Sequence, residues 1–213
     1  MQLKYQSLKD HVYEYIAQRI QTGSLQPGSK INEAEICKQL DISRTPTREA
    51  LFQLSSDNLL DYLPRRGFTV KAFDRKKKED YSLLIGTLDA LAATLACDRM
   101  QERDVKQLER LADTIADDIS SYEFNDYYVH QAEFHNCYLN KCGNTPLIDT
   151  LNSVKNGFMR QSYASEDKDR LASLLKQVNA EHRLIAELFR ERDKERLEQA
   201  IRHHWRIIDF DMI

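Results

Sequence analysis

The sequence is poor in the residues that interrupt helices or build cysteine-based sites. Its 213 residues include 6 glycines, 4 prolines, 4 cysteines and one tryptophan. Few Gly and Pro favour helices over a loop-rich or all-β fold. The cysteines at positions 37, 97, 137 and 142 form no CxxC pair and match no zinc module, so we expect them to be reduced and mostly buried.

The sequence also shows no long hydrophobic run and no signal-peptide pattern. No unbroken stretch of about 18 apolar residues occurs, so no membrane-spanning helix is expected. The first 20 residues, MQLKYQSLKDHVYEYIAQRI, lack the apolar core of a signal peptide. These features predict a cytoplasmic protein without a membrane partner.

The net charge of −3 hides an uneven distribution of sign. Residues 1–78 carry 14 Lys and Arg against 9 Asp and Glu, a net charge of +5, whereas residues 79–213 carry 17 against 25, a net charge of −8. A basic first third on an acidic remainder indicates a nucleic-acid-binding head and a body that binds something else.

The first third of the chain has the pattern of three helices followed by a hairpin. Asn32 and Glu35 form a capping-box-like start for NEAEICKQL, and Ser43 is a natural N-cap for RTPTREALFQLSSD. The segment LLDYLPRRGFTVKAF predicts two short strands around a turn. Two short helices joined by DIS fit a helix-turn-helix, whose second helix enters the major groove of DNA, and the hairpin adds a wing.

Polar and basic side chains in the second of these helices and in the hairpin are candidates for DNA contacts. Arg44 and Arg48 share an outward face, and an arginine binds guanine edges or phosphates. A solvated charged helix and an ordinary turn is the alternative interpretation, but the ordered combination favours DNA binding. The candidates are Ser43, Arg44, Thr45, Arg48, Arg65, Arg66 and Gly67.

The remainder of the chain predicts a helical bundle without strands. The expected helices cover about residues 78–99, 104–121, 124–141, 146–163, 168–191 and 194–210. The predicted fold class is therefore mostly α, with an N-terminal winged helix-turn-helix that has a small β-hairpin wing and a C-terminal all-α antiparallel bundle. The predicted boundaries are 1–73 for the winged helix, 74–79 for a charged linker and 80–213 for the bundle.

Three histidines replace apolar residues on the inward stripes of three bundle helices: His135, His182 and His204. His182 and His204 lie eleven residues on either side of Asp193, a plausible N-cap, so in an antiparallel hairpin both sit about 16 Å from the turn. Three imidazoles that converge without a metal repel one another when protonated, and a divalent metal removes that problem. A satisfied histidine core without metal is the alternative.

The stretch LQPGSKINEAEICKQLDISRTPTREALFQLSSDNLLDYLPRRGFTV resembles the winged-helix domain of GntR-type bacterial transcription regulators. The resemblance covers about residues 5–73, and SRTPTREAL is a highly specific signature. It implies operator-DNA contacts from the seven candidates named above. Some members use a basic residue early in the preceding helix, where this chain has Ala34, so that contact is not expected. A homodimer that reads two half-sites would double the basic contacts.

Residues 78–211 resemble the FCD ligand-binding domain of the FadR subgroup of this family, through EFHNCYLNKCGN, EHRLIAELFRERD and AIRHHW. About six helices make the domain similar to the shorter, VanR-like type. Metal-binding members use an Asp four residues before the first of three histidines. The resemblance therefore implies a metal set of His135, His182 and His204, with Gln131 in the place of the Asp. A Gln offers a neutral carbonyl oxygen, which is a weaker ligand than a carboxylate.

Many members also carry an Arg in the first bundle helix, and the matching position here falls near Ile85. A cation that clamps a carboxylate effector would therefore have to come from elsewhere, and Arg160 is the candidate.

These inferences predict a dimeric DNA-binding regulator, expected to be a repressor, whose effector is a small organic acid bound near a His-ligated divalent metal, Zn or Ni. Alternatives are a sensor in which the ion is itself the effector and a metal-free regulator with an acyl or apolar ligand. The remote alternative is a metalloenzyme, and it is disfavoured because no Asp or Glu is expected at a general-base position on the inward stripes.

Overall fold

A computed structural model describes residues 7–21, 24–72, 74–159 and 167–207, without the side chains of 21 and 156–159. Two compact units divide the described residues: the first comprises residues 7–74 and 153–159, and the second comprises residues 75–152 and 167–207. The described residues form nine helices and one hairpin in the predicted order, so the predicted fold class is confirmed.

The N-terminal unit consists of three helices and an antiparallel hairpin. Its elements are α1 (Leu8–Gln21), α2 (Glu33–Leu40), α3 (Arg44–Ser56), β1 (Leu60–Leu63) and β2 (Gly67–Val70). The Asn32 side chain caps α2 by accepting from the backbone N–H of Glu35. Ser43 is the N-cap residue of α3, as predicted, but its side chain makes no capping hydrogen bond.

A single apolar core holds this unit together. Val12 and Ile16 of α1, Leu51 and Leu54 of α3 and Phe68 of β2 are all fully buried. The two strands pair in register from Leu60 opposite Val70 to Leu63 opposite Gly67. The core fixes the angle between α3 and the hairpin, so that both can be presented to one ligand.

Six described helices follow the hairpin. They are α4 (Arg75–Cys97), α5 (Glu102–Ser120), α6 (Phe124–Leu139), α7 (Thr145–Met159), α8 (Lys168–Glu191) and α9 (Lys194–His204). All belong to the second unit except the last part of α7, from residue 153, which is grouped with the first unit. Within the second unit, α4 packs against α9 and α6, α5 packs against α6 and α8, and α8 packs against α9. Asp193 caps α9 by accepting from the backbone N–H of Arg196, as expected for the turn between the last two helices.

Two boundaries differ from the sequence prediction. The charged segment that was assigned to a linker at 74–79 belongs mostly to α4, which begins at Arg75. Pairs of opposite charge four residues apart, Arg75 with Glu79 and Lys76 with Asp80, support this first part of the helix. At the other end, α9 stops at His204 rather than near residue 210, and Trp205 is its C-cap.

Among the described residues, α4 is the one helix long and apolar enough to cross a membrane by length and composition. It has 23 residues and a best window with a mean hydropathy of 1.2, of which 50% is buried inside the fold. The helix also carries a fully buried Asp89. A core helix of a globular domain explains these features as well as a membrane span does.

Candidate DNA interface and candidate metal centre

The sequence-predicted DNA-binding residues lie on the surface of the N-terminal unit. Ser43, Arg44, Thr45 and Arg48 are exposed at the start of α3, because Thr47, Ala50, Leu51 and Leu54 occupy its buried face. Arg65 and Arg66 are exposed in the turn between the strands, where Arg65 has a φ of 66°. Gly67, with a φ of 88°, is half-buried beside them.

An acidic residue outside the sequence-predicted set, Glu33, lies between α3 and the hairpin. An oxygen of the Glu33 carboxylate is 3.6 Å from Nε of Arg48. Its other oxygen is 3.9 Å from the position that a Cβ on Gly67 would occupy. Glu33 therefore connects the helix and the wing, and it partly neutralises the basic surface at that point.

Three aromatic rings attach the hairpin to α3. The rings of Phe52, Tyr62 and Phe68 contact one another with centroids 5.0–5.1 Å apart. The guanidinium of Arg48 lies 5.9 Å from the ring centroid of Phe52. This cluster orients Arg48 relative to the wing through packing rather than through hydrogen bonds.

In the second unit, the three inward histidines lie together in the core. His135 of α6, His182 of α8 and His204 of α9 are all buried. The ring centroids are 5.5 Å apart for His135 and His182, 5.2 Å for His135 and His204 and 4.6 Å for His182 and His204. One nitrogen from each ring falls within 4.8 Å of the other two. The equal depth expected for His182 and His204 is thus observed.

Each of the three rings has its Nδ1 engaged by a polar group outside the cluster. Nδ1 of His135 lies 2.6 Å from the Tyr138 hydroxyl and 3.1 Å from Oδ2 of Asp89. Nδ1 of His182 lies 3.1 Å from Oδ1 of Asn179, and Nδ1 of His204 lies 3.0 Å from Oε2 of Glu181. When a hydroxyl, carboxylate or amide oxygen accepts a hydrogen bond from Nδ1–H, the proton stays on Nδ1 and Nε2 of the neutral ring keeps its lone pair. That tautomer is the one in which Nε2 binds a metal.

Asp89 connects one histidine to its surroundings. Besides His135, its carboxylate accepts hydrogen bonds from the Trp205 indole at 2.6 Å and from the Tyr138 hydroxyl at 2.9 Å. Burial, together with the Asp89 charge and hydrogen bond, raises the pKa of Tyr138 well above its ordinary value. Tyr138 therefore stays protonated and acts as a donor.

The presence of Asp89 corrects one expectation from the sequence. No carboxylate was expected on the inward stripes, yet Asp89 lies on the buried face of α4 with Ile85 one turn before it. The helical periodicity of α4 also indicates Asp89, because it is a charged residue at a position where the repeat of Ile and Ala predicts a buried side chain. Glu181 was missed for a different reason: it lies beside the stripe of α8 and reaches His204 laterally.

The donor set fits a divalent transition metal. Burial and the neighbouring histidines lower the pKa of His182 well below its ordinary value, so its ring is neutral at neutral pH. Nε2 of His182 is buried and has no hydrogen-bond partner among the described residues. Nitrogen ligands at about 2.0–2.1 Å from a tetrahedral metal lie roughly 3.4 Å apart, so the rings would need only a modest contraction.

The other residues considered for this site lie at different places in the structure. Gln131 is buried on α6, one turn before His135, which is the position expected of it. Arg160 lies outside the described residues. Two further histidines lie outside the cluster: His130 pairs with Asp118 at 2.7 Å, and His203 is exposed with its Nε2 3.6 Å from Glu181.

Comparisons with known proteins agree with both parts of this description. The family "Bacterial regulatory proteins, gntR family" matches residues 8–70, and the FCD domain matches residues 84–206. The chain is 28% identical over 196 residues to the HTH-type transcriptional regulator YdhC of Bacillus subtilis, covering 91% of this chain and 85% of that protein. It is also 28% identical over 113 residues to the regulator McbR of Escherichia coli, covering 53% of this chain and 51% of McbR. The solved structure of E. coli McbR/YncC superposes with a TM-score of 0.75 at 18% identity, over 93% of each chain.

The chain belongs to the GntR family and carries an FCD domain. The FCD match alone spans more than half of the 213 residues. The GntR-type protein is therefore a transcriptional regulator rather than an enzyme, which removes the metalloenzyme alternative. In this regulator the winged helix binds DNA, and the histidine cluster lies inside the FCD domain.

Proposed function

We propose that this regulator is a homodimer that represses transcription from operator DNA in the cytoplasm until a small organic acid enters its FCD domain. The winged helix supplies the operator contacts through Ser43, Arg44, Thr45 and Arg48 of the recognition helix and Arg65, Arg66 and Gly67 of the wing. The domain boundaries proposed for this role are 1–73 for the head and 80–213 for the FCD domain.

The observation that carries the proposal is the convergence of three buried imidazoles whose Nδ1 atoms are all engaged outside the cluster. His135, His182 and His204 would hold a Zn or Ni ion through Nε2, with Gln131 as a weak fourth ligand. Three neutral nitrogen ligands suit such ions and leave further positions open. A carboxylate of the effector can fill an open position, with Arg160 as the proposed clamp for its second oxygen.

An effector changes operator affinity only through different affinities for the DNA-competent and DNA-incompetent states. Since α9 contributes His204 and α4 contributes Asp89 to the same cluster, occupancy of the site constrains helices at opposite ends of the domain sequence. A bound ion would therefore connect α4 and α9, which supports a regulatory role for an ion that does not itself contact DNA.

The experiment is an operator-binding titration of the purified protein in three states: stripped with EDTA, loaded with Zn²⁺ or Ni²⁺, and loaded with metal in the presence of a panel of small carboxylates. The proposal expects metal-loaded protein to bind operator and at least one carboxylate to weaken that binding. If metal alone changes operator affinity and no carboxylate does, the metal-sensor alternative is supported. If neither metal nor any carboxylate changes operator affinity and the protein binds no metal, the alternative of a metal-free regulator with an acyl or apolar ligand is supported.

A further inference from the structure

Glu181 of α8 contacts several polar side chains at the end of α9. Its Oε2 lies 3.0 Å from Nδ1 of His204, and its Oε1 lies 2.6 Å from Nη1 of Arg206. Oε1 also lies 3.6 Å from Nε2 of His203. The Glu181 side chain is only 16% exposed, so solvent screens these charges weakly. A single carboxylate therefore joins a candidate metal ligand to a residue beyond the end of α9.

Asp89 of α4 has the same pair of contacts from a different helix. Its carboxylate lies against Nδ1 of His135 and accepts the indole N–H of Trp205. Trp205 and Arg206 are adjacent in the chain and directly follow the last residue of α9. Two carboxylates, one from α4 and one from α8, therefore hold residues 205–207, and each of them also contacts one candidate metal ligand.

The backbone of residues 205–207 is also packed closely against α4. The Ser82 hydroxyl donates a hydrogen bond to the carbonyl of Trp205. A Cβ added at Gly86 would lie 3.2 Å from the Cβ of Trp205, which is tighter than an ordinary contact. Glycine at this position therefore allows the two elements to approach. Because of this packing, a movement of residues 205–207 changes the contacts that Asp89 and Glu181 make.

A divalent ion on Nε2 of His204 would strengthen the contact with Glu181. The ion draws electron density from the imidazole, which makes Nδ1–H a better donor, and a charged acceptor gives a stronger hydrogen bond than a neutral one. In return, the carboxylate fixes the orientation of the ring and increases the basicity of Nε2. Nδ1 of His182 has the neutral amide of Asn179 instead. The histidines with a carboxylate neighbour are thus the ones whose outer contacts respond most to an ion.

We propose that Glu181 positions His204 for the metal and that its ion pair with Arg206 connects loading of the site to residues 205–207. This inference rests on the proposed metal-dependent function and adds a route from the buried ion to Arg206, which is 41% exposed. Loading fixes the carboxylate at the place where its Oε1 meets Arg206. Loss of the ion removes that constraint, and residues 205–207 then open more often.

The positioning role is tested by calorimetric titration of the full chain with Ni²⁺. Glu181→Gln keeps the size of the side chain and removes its charge. We expect the dissociation constant for Ni²⁺ to rise about 10–100-fold. Glu187→Gln, at an exposed position of the same helix, is the matched control, and we expect a change of less than about threefold. An unchanged affinity of the Glu181→Gln protein would overturn the positioning role.

The visible absorption of Co²⁺-loaded protein distinguishes positioning from a purely structural role. The d–d bands of Co²⁺ depend on the geometry and basicity of its ligands, and Glu181 acts on both through His204. We expect the bands of the Glu181→Gln protein to differ from those of the wild type, and those of Glu187→Gln to match it. Identical bands in all three proteins would mean that Glu181 does not act on the ligand and would overturn the proposal.

The connection to residues 205–207 is tested by hydrogen–deuterium exchange with and without saturating Zn²⁺. The amides of Trp205 and Arg206 are bonded to the carbonyls of Ile201 and His203, so their exchange reports local opening. We expect Zn²⁺ to slow this exchange by about tenfold or more in the wild type.

Arg206→Gln separates this connection from metal binding itself. We expect its Zn²⁺ affinity to stay within about threefold of the wild type, because the contact between Glu181 and His204 remains, while most of the slowing by Zn²⁺ is lost. Arg196→Gln, at the start of α9, is the control and should keep both the affinity and the slowing. Full slowing in the Arg206→Gln protein would overturn the connection.

Failure of this inference is distinguishable from failure of the proposed function. If the wild-type chain binds neither Zn²⁺ nor Ni²⁺, both the metal-dependent function and the role of Glu181 are wrong. If the wild type binds metal and responds to a carboxylate, while Glu181→Gln has the same affinity and the same Co²⁺ bands, only the role of Glu181 is wrong.

Discussion

Oδ2 of Asp89 lies 3.1 Å from Nδ1 of His135, and the same oxygen accepts the Trp205 indole N–H at 2.6 Å. One buried carboxylate thus orients a candidate metal ligand and binds the C-cap residue of the helix that carries another. Trp205 is the single tryptophan of the chain, and its ring centroid lies 5.1 Å from that of His135. Its fluorescence therefore reports directly on the cluster.

Replacing Asp89 with Asn should weaken metal binding without removing it. The amide keeps the size of the side chain but loses the charge that orients His135 and increases the basicity of its Nε2. Outer-shell changes of this type cost about 10–100-fold in metal affinity. The measurement is a Ni²⁺ titration followed by quenching of Trp205 fluorescence, with Asp113→Asn on the surface as the control.

Thermal unfolding of the same variants without metal shows whether Asp89→Asn acts through the site or through the fold. A loss of affinity together with an unchanged unfolding temperature of the metal-free protein supports a positioning role. An affinity equal to that of the wild type would show that the Asp89–His135 contact does not contribute to ion binding.

Replacing Gln131 with Asp should tighten metal binding. Gln131 is buried on α6 one turn before His135, and a carboxylate at that position adds charge and a stronger oxygen ligand. We expect the dissociation constant for Zn²⁺ or Ni²⁺ to fall by about tenfold or more by isothermal titration calorimetry. Gln131→Asn is the matched control, because it shortens the side chain without adding charge. No gain with Asp would place Gln131 outside the ligand set.

Much of this site follows from periodicity, and the rest does not. The inward histidines could be predicted because each replaces an apolar residue on a strong stripe, and Asp193 fixed the relative depth of His182 and His204. Glu181 could not, because its contact with His204 depends on how α8 and α9 rotate against each other. Asn179 lies three residues before His182 on α8, and its amide is also held by the carbonyl of Ala112 on α5, a contact between helices that the sequence does not reveal. In the fold, the basic start of α4 was assigned to a linker because charge alone does not distinguish a linker from an ion-paired first turn.

Replacing Glu33 with Gln should strengthen binding to DNA. The Glu33 carboxylate lies 3.6 Å from Nε of Arg48 and next to Gly67. Its removal frees Arg48 and takes a negative charge away from the phosphate-facing surface. We expect operator affinity to increase about two- to tenfold at low salt by fluorescence anisotropy, with the gain shrinking as salt rises. Glu14→Gln in α1 serves as a control. If both variants increase operator affinity equally, the gain comes from the change in net charge and not from the position of Glu33.

Replacing Arg48 with Ala should have the opposite and larger effect. Arg48 is exposed on the recognition helix, and loss of one base or phosphate contact per half-site is doubled in a dimer. We expect operator affinity to fall at least about 100-fold while sedimentation and circular dichroism remain those of the wild type. Undiminished binding would show that α3 is not the recognition helix.

The His130–Asp118 pair should make stability depend on pH near neutrality. The hydrogen bond from His130 to Asp118, at 2.7 Å, raises the pKa of His130 in the folded protein. Because the pKa of His130 is higher in the folded than in the unfolded protein, its protonation stabilises the fold. This stabilisation is complete below the unfolded pKa of about 6.5 and is lost as the pH rises through the folded pKa. We expect this pair to contribute about 0.5–1 kcal/mol to the free energy of unfolding at low pH. Urea unfolding at pH 6 and pH 8 measures it, and His130→Gln should abolish the pair's share of the difference.

The central claim is that His135, His182 and His204 bind one divalent ion, and metal stoichiometry tests it most directly. The measurement is elemental analysis of the chain after incubation with Zn²⁺ or Ni²⁺ and removal of free ion, for the wild type, His182→Ala and the peripheral control His130→Ala. The account predicts about one ion per chain in the wild type and in His130→Ala, and almost none in His182→Ala. Absence of metal from the wild type, or equal retention by all three proteins, would contradict it.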